Sequence, residues 1–440
     1  MKFLRILFFA ILASQAAYAN IAITNWNETI QLTDEGKKTT VSIFGKVTGV
    51  EQGKALAAYS INFDEKQKIN VVGAEFDGKP VPFVFKKHEF RIDFPTHKVN
   101  GQQVLLGFSY EEKYSEISKH IRNEMIYVPK YAKGSIARIR IDFPDYDMIN
   151  FIPKVVKSEG VLTYTVPVGE DGLKKLFKFT AKESAWDVES DIRIQLASAA
   201  GEMKVKIPHY FDSARQQVIS KKMEFNRNPI GKESKGEERW FYFNNFADGL
   251  LITEKARILA GSKHYKQVYI NSFPFSKASD EESKLLMPIL LQIKADKKYA
   301  GMPIYVAIGE FVNSYIKYDK ALVGKRLSLE EIIKGKSGVC LEYARLYDGL
   351  ARVAGIPSMV LNGIACGNEG ECESHSWNKI FFVNRWIEVD PTWNLMSGIV
   401  SSSHIFAVAD GKDQIQITYP NSAGKAQIDI DLKMKSASKN

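Results

Sequence analysis

Several things are scarce in this sequence of 440 residues. After the first 19 residues, no stretch reaches the ~20 consecutive apolar residues that a membrane-spanning helix needs. There is no internal repeat and no long low-complexity segment, and 45% hydrophobic with 12% aromatic content is ample for packed cores, which excludes a disordered chain. No dense block of one charge is present either. The formal charge of +9 (60 Lys and Arg against 51 Asp and Glu) is spread through short pairs such as Lys37-Lys38, Lys86-Lys87 and Lys221-Lys222. Nucleic-acid binding would concentrate it, with aromatics interleaved, so a solvated face is the expected role and no nucleic-acid partner is expected. Cysteine is the scarcest chemistry-bearing residue. With only Cys340, Cys366 and Cys372 present, each must be accounted for as a packed thiol, half of a disulfide, a metal ligand or a nucleophile.

What is present begins with an address. Lys2 and Arg5 precede an apolar run from Ile6 to Leu12, and Ala17-Tyr18-Ala19 supplies the small residues of a signal-peptidase site. The expectation is a signal peptide over 1–19, cleaved after Ala19, and a mature chain without a transmembrane segment in a periplasm or secreted. Losing Lys2 and Arg5 leaves 58 basic against 51 acidic residues, or +7.

The rest reads as a β-rich front and a mixed back. Runs such as "TVSIFGKVTGV", "VPFVFKKHEFRIDF" and "QVLLGFSYEE", separated by turn signals at Asp77-Gly78, Asn100-Gly101 and Lys133-Gly134, predict an antiparallel sandwich-like domain over 20–147. "VLTYTVPVG", "EMKVKIPHYF", "ERWFYFNNF" and "KQVYINSF" mark a second β-rich domain over 148–275, whose polar run 226–238 is expected to be an exposed hairpin loop. A third domain follows over 276–410, then C-terminal strands and a tail over 411–440 ending in a frayed "KMKSASKN".

In that third domain "MPIYVAIGEFVNSYIKYDK" predicts a helix with Ile304, Ala307, Ile308, Phe311, Tyr315 and Ile316 on one face. Ser328 and Glu331 form the capping box of a short helix. The next helix starts near Cys340, carries its buried stripe on Leu341, Ala344, Tyr347 or Asp348, Ala351 and Ala354, and is ended by Gly355-Ile356-Pro357. A thiol in a first helical turn sits beside unsatisfied N–H groups and the positive end of the dipole, which favour a thiolate and can hold an oxyanion. Plain packing is the competing role.

Downstream, "SHSWNKIFFVNRWIEVD" predicts a hairpin over His375–Phe382 and Arg385–Asp390 with its turn at Val383-Asn384. In that register Trp377 faces Asp390 and His375 lies two residues along the same face, within the ~7–8 Å of diagonal neighbours. A thiol, an imidazole and a carboxylate behind it are what nucleophilic catalysis needs. Cys366 and Cys372 bracket "GNEGE" and, in an oxidising compartment, are expected to form a disulfide. Zinc held by Cys340, Cys366, Cys372 and His375 is the rival.

These residues carry a resemblance. "GKSGVCLEYARLYDGLARVAGIPSMVLNG" followed by "SHSWNKIFFVNRWIEVDPTWN" resembles the core of the transglutaminase-like superfamily, a papain-like thiol fold, over about residues 285–405. The resemblance puts the nucleophile on Cys340, the catalytic histidine on His375 and the acidic member on Asp390. It implies no cofactor and no metal. Glu342 matches an acidic position common after the family's cysteine, expected here to serve the helix start, and Trp377 is expected to pack in the core around the hairpin, with shielding of the pair as a further role. Arg345 and Arg352 are expected to be solvated or ion-paired, and the remaining histidines, His404 included, surface or satisfied residues. The front is similar to those of DUF3857 type. The expected fold class is α+β, with β-sandwich-like N-terminal domains followed by a papain-like, transglutaminase-like core. The expected activity is acyl transfer on a protein or peptide substrate, hydrolysis (cysteine peptidase or amidase) favoured over amine crosslinking. The alternative is a non-catalytic binding or assembly module of the cell envelope that retains the thiol fold.

Overall fold

The computed structural model describes residues 20–63, 68–113, 120–128, 135–168, 173–196, 201–207, 210, 212–213, 215–235, 238–244, 249–262, 277–367, 371–409, 416–418 and 426–437. Residues 1–19, expected to be a signal peptide, the Lys133-Gly134 turn, the strand expected in "KQVYINSF" and residues 368–370 of the short cysteine loop lie outside them. The chain divides into two compact units: 1–119 with 123–146 and 152–177, and 120–122 with 147–151 and 178–440.

The first unit is built from alternation. Gly36–Thr48 and Gln103–Lys113 bury every second side chain, so each strand offers one apolar face. They are central in an eight-stranded sheet ordered Val156–Ser158, Val161–Val168, Ser135–Asp142, Asn20–Leu32, Gly36–Thr48, Gln103–Lys113, Ile69–Phe76, Lys79–Pro80. A three-stranded sheet of Leu56–Asn62, Glu89–Lys98 and Phe83–Lys86 contributes Phe90, whose ring lies 5.4 Å from that of Phe108 in the larger sheet. The expected all-antiparallel arrangement is corrected at one place: Asn20–Leu32 pairs with Ser135–Asp142 in parallel, with Trp26 opposite Ala137. More than a hundred residues separate the two strands, so local turn signals carry no information on their direction.

In the second unit two four-stranded sheets pack face to face. One is Gln216–Phe225, Leu250–Ala260, Ser184–Gln195, Gln427–Ser436, and the other is Gly231–Lys235, Glu238–Asn244, Glu202–Ile207, Gln416–Thr418. Ile192, Ile194, Met203, Val205, Phe241, Phe243 and Ile252 fill the space between them. Two expectations are corrected here. The polar run 226–238 contains the strand Gly231–Lys235, which pairs with Glu238–Asn244 and needs no apolar residue because it is a sheet edge. The "KMKS" expected to fray is instead the end of a strand, with Lys433 opposite Glu189 and Ser436 opposite Trp186.

The third layer of the same unit holds four helices, α1 (Asp280–Ala295), α2 (Ile304–Tyr315), α3 (Leu329–Gly335) and α4 (Cys340–Val353), and a sheet ordered Arg385–Val389, Cys372–Phe382, Ser358–Cys366, Ile405–Ala409. Capping boxes start α1 at Ser279 with Glu282 and α3 at Ser328 with Glu331. The expected single apolar face of α2 is too narrow. Tyr305 to Gly309, Phe311 and Val312 are all buried, because α2 is packed against other elements on most sides. In α4 the buried stripe runs through Tyr343, Ala344, Leu346, Tyr347, Leu350 and Ala351, while Leu341 and Ala354 are only half-buried.

Candidate active site

Cys340 is the first residue of α4, half-buried, and the free cysteine among the described residues. Val339 precedes it as the N-cap and has no side-chain acceptor to offer. Glu342 fills the gap: completely buried, it turns back so that its Oε2 accepts the Val339 N–H at 3.0 Å. Gly338 makes this possible, because a Cβ there would stand 2.4 Å from the Glu342 Cβ. The acidic residue after the cysteine is therefore part of the helix start, in the role expected for it. The thiol reaches the Ser374 carbonyl at 4.0 Å.

Across the hairpin, Asn378 pairs with Val389 and Phe382 with Arg385, the expected register. His375 and Asp390 consequently share a face, both buried, with His375 Nε2 2.9 Å from Asp390 Oδ2. Asp390 Oδ1 accepts the backbone N–H groups of Thr392 and Trp393 at 2.8 and 3.2 Å. The turn that supplies them is held in place: Asn313 of α2 donates to the carbonyls of Pro391 and Thr392, and Lys178 Nζ donates to that of Trp393 at 2.6 Å. Asn378, three residues along the strand from His375, donates to the Ala344 carbonyl at 3.0 Å and so ties the histidine's strand to the cysteine's helix.

The electrostatics follow from this enclosure. Burial alone would neutralise both partners, but the carboxylate opposite outweighs it and, with the Cys340 thiol adding to the effect, raises His375 to about 10. For Asp390 burial is likewise outweighed, by the charge and hydrogen bond of His375, and its carboxyl is held far below the usual range. The Nδ1 of His375 is buried with Nε2 committed to Asp390, so Nδ1 is the ring nitrogen left to meet the Cys340 sulfur.

Trp377 keeps its expected place in the core, while the rings that meet His375 and Asp390 differ from expectation at Trp393 and His404. Trp377 lies 6.3 Å from His375, completely buried, with its Nε1 on Glu388 at 3.0 Å. The ring that covers His375 is Trp393, stacked at 4.4 Å and half-buried. His404, expected at the surface or as an ordinary satisfied residue, is buried with its Nε2 3.2 Å from the same Asp390 Oδ2. The signal that could have shown this is local: the polar Ser401–His404 lies between Ile399-Val400 and Ile405-Phe406. Arg345 is held by the Leu327 carbonyl, and Arg352 pairs with Glu282 and Asp348.

Cys366 and Cys372 are joined in a disulfide across the paired strands, three residues before His375. Neither can then offer a thiolate, which removes the four-ligand zinc alternative. His375 Nε2, Asp390 Oδ2 and His404 Nε2 lie within 4.8 Å of one another, a donor set zinc accepts. Both imidazoles, however, aim these nitrogens at one oxygen at hydrogen-bond distance, so N–H protons occupy the space between them.

The Transglutaminase-like superfamily matches residues 293–391. No curated protein matches the chain. Among solved structures it is similar to one from Cytophaga hutchinsonii described provisionally as a cysteine protease, at 14% identity and TM-score 0.44, covering 59% of this chain and 93% of that one. It is also similar to an M1 zinc metallopeptidase from Deinococcus radiodurans (12%, TM-score 0.24, 41% and 44%) and to leukotriene A4 hydrolase from Saccharomyces cerevisiae (9%, TM-score 0.27, 38% and 30%). The chain spans less than half the length of the latter two.

Proposed function

From the premise that residues 293–391 are a transglutaminase-like core, we propose that this is an exported thiol enzyme transferring acyl groups from a protein or peptide amide through Cys340, His375 and Asp390. The observation that carries the proposal is a half-buried thiol at a helix start with a buried imidazole–carboxylate pair of 2.9 Å on the facing strand. A cation and a helix N-terminus are the two surroundings that favour the nucleophilic thiolate.

Cys340 Sγ attacks the amide carbonyl carbon, and the oxyanion that forms is taken by N–H groups at the start of α4. His375 Nδ1, having received the thiol proton, returns it to the leaving amine as the carbon–nitrogen bond breaks and a thioester remains. Water then loses a proton to Nδ1 as it attacks the thioester, releasing the acid and regenerating the thiol. Asp390 keeps the ring's other nitrogen occupied and stabilises the imidazolium throughout. Hydrolysis is favoured over transfer to an amine because a protein carrying large β domains and an export signal suits trimming or remodelling an envelope peptide or protein.

The test is alkylation of the mature protein by iodoacetamide as a function of pH. Cys340 in the wild type should label near neutral pH, Cys340→Ala not at all, and His375→Ala only above the ordinary thiol range, ~8.5. Wild-type labelling confined to that alkaline range would instead favour a binding or assembly module. Ammonia or peptide release, compared with incorporation of a fluorescent primary amine, separates hydrolysis from crosslinking.

A further inference from the structure

Ser401, Ser402, Ser403 and His404 are all polar, yet none is more than 1% exposed. Burying four polar side chains in succession is unfavourable unless their groups are bonded, and here they are. Thr180 and Ser184 meet the Ser402 hydroxyl at 3.0 and 2.7 Å, and Trp186 Nε1 donates to the Ser402 carbonyl at 2.9 Å. Arg215 donates to the carbonyls of Val400, Ser401 and His404 at 3.1, 3.4 and 3.3 Å. This grip on the backbone fixes where the imidazole of His404 stands.

That imidazole makes one hydrogen bond, Nε2–H to Asp390 Oδ2 at 3.2 Å, and its Nδ1 is buried without a partner. Its proton must therefore be on Nε2. Oδ2 also receives His375 Nε2–H at 2.9 Å, and Oδ1 receives the N–H groups of Thr392 and Trp393. Four donors thus fill the four lone-pair sites of one carboxylate. We infer that His404 is a positioning residue for the thiol chemistry: by occupying the second lone pair of Oδ2 it stops the Asp390 carboxylate from rotating, and so keeps His375 Nδ1 turned toward Cys340. His404 touches neither the thiol nor the amide. Its part is to hold the base's partner still, an assignment that rests on the acyl-transfer reading of Cys340 and His375.

The charged and titratable groups around this cluster are His375, Asp390, Arg215 with its partner Glu388, His120 behind Ser184 and, on the far side of Asp390, Lys178 with Glu310 near it. The full mature chain is alkylated with iodoacetamide across pH as His404→Leu, His404→Gln and His404→Asn. His404→Leu, which keeps the bulk and loses the donor, should label at neutral pH about tenfold more slowly or worse, the worth of a hydrogen bond to a charged group, with its profile moved toward an ordinary thiol. His404→Gln, long enough to donate to Asp390, should recover most of the rate. A folded His404→Leu with the wild-type rate and profile overturns the inference. Should that variant not fold, the amides decide: Asn is too short to reach, so equal profiles for Gln and Asn overturn it. Should the wild type itself lack neutral-pH labelling, the function fails separately, and proton NMR judges the positioning. Two downfield imidazole N–H signals are expected, one lost and the other shifted in His404→Leu, or in His404→Asn where Leu does not fold; an unmoved His375 signal there overturns the inference.

Discussion

The buried histidine beside Asp390 has a consequence for stability that is separate from catalysis. Burial lowers His404 to about 4, with the attraction of Asp390 opposing and the nearby His375 and Arg215 cations adding to it. An unfolded histidine titrates at about 6.5, so between these values the unfolded chain binds the extra proton and the folded one resists it. Its contribution is intact above about pH 6.5 and is lost as pH falls toward 4, a difference of about 3 kcal/mol at 1.36 kcal/mol per unit. His375 works at the other end, because its raised value gives stability that is full below about 6.5 and lost as pH rises toward 10. Denaturant midpoints of wild type and His404→Gln should therefore converge from neutral pH down to about 4, with the wild type losing more. Carboxylates elsewhere titrate alike in both proteins, and parallel curves would contradict the burial of a neutral imidazole.

At the scale of elements, the start of α4 depends on one close approach. Gly338→Ala would drive a methyl to 2.4 Å from the Glu342 Cβ and push the carboxylate off the Val339 N–H. A lost cap of this kind costs about 1 kcal/mol, with strain added, and it moves the residue that carries the thiol. Reduced Cys340 alkylation together with a lower melting temperature is expected; unchanged labelling would detach the cap from the site. This helix start, the Ser328–Glu331 capping box and the register of the hairpin were legible in the sequence because each is set by residues three to fifteen apart. Gly231–Lys235 was not, since nothing apolar marks that edge strand, whose partner is chosen by hydrogen bonds, whereas the strand ending at Ser436 does alternate through Ile428, Ile430, Leu432 and Met434, and only its charged last residues read as a tail. The proposed triad of Cys340, His375 and Asp390 could be read from pattern and resemblance together. The stacking of Trp393 in place of Trp377, and the arrival of His404 on Asp390, depend on how the turn after Asp390 and the strand Ile405–Ala409 fold back, which periodicity does not encode.

At the scale of the second unit, the sandwich and the thiol-bearing layer share one interior. Trp186, Val188, Ala256 and Ile258 of the sandwich pack with Ile364, Cys366, Ile405 and Ala407 of the sheet that carries the site. Gly363 permits the last strand to close in, as a Cβ there would lie 1.9 Å from the Ile405 carbonyl oxygen. Arg215 is the polar counterpart of that apolar contact. Its buried guanidinium lies 3.2 Å from the Glu388 carboxylate while holding three carbonyls of the segment that ends at His404. Removing one member of a buried pair leaves the other charge uncompensated, typically at a cost of about 3–5 kcal/mol. Arg215→Met should therefore lower the denaturant midpoint by that order and, in molecules that remain folded, slow Cys340 alkylation in the direction of His404→Leu. Replacing Arg215 and Glu388 together, by Met and Leu, removes both charges and should restore much of the stability while leaving the carbonyls unheld, so alkylation should stay slow. Recovery of both properties in the double variant would mean that the ion pair matters only to folding, and that the sandwich supports the thiol site without orienting it.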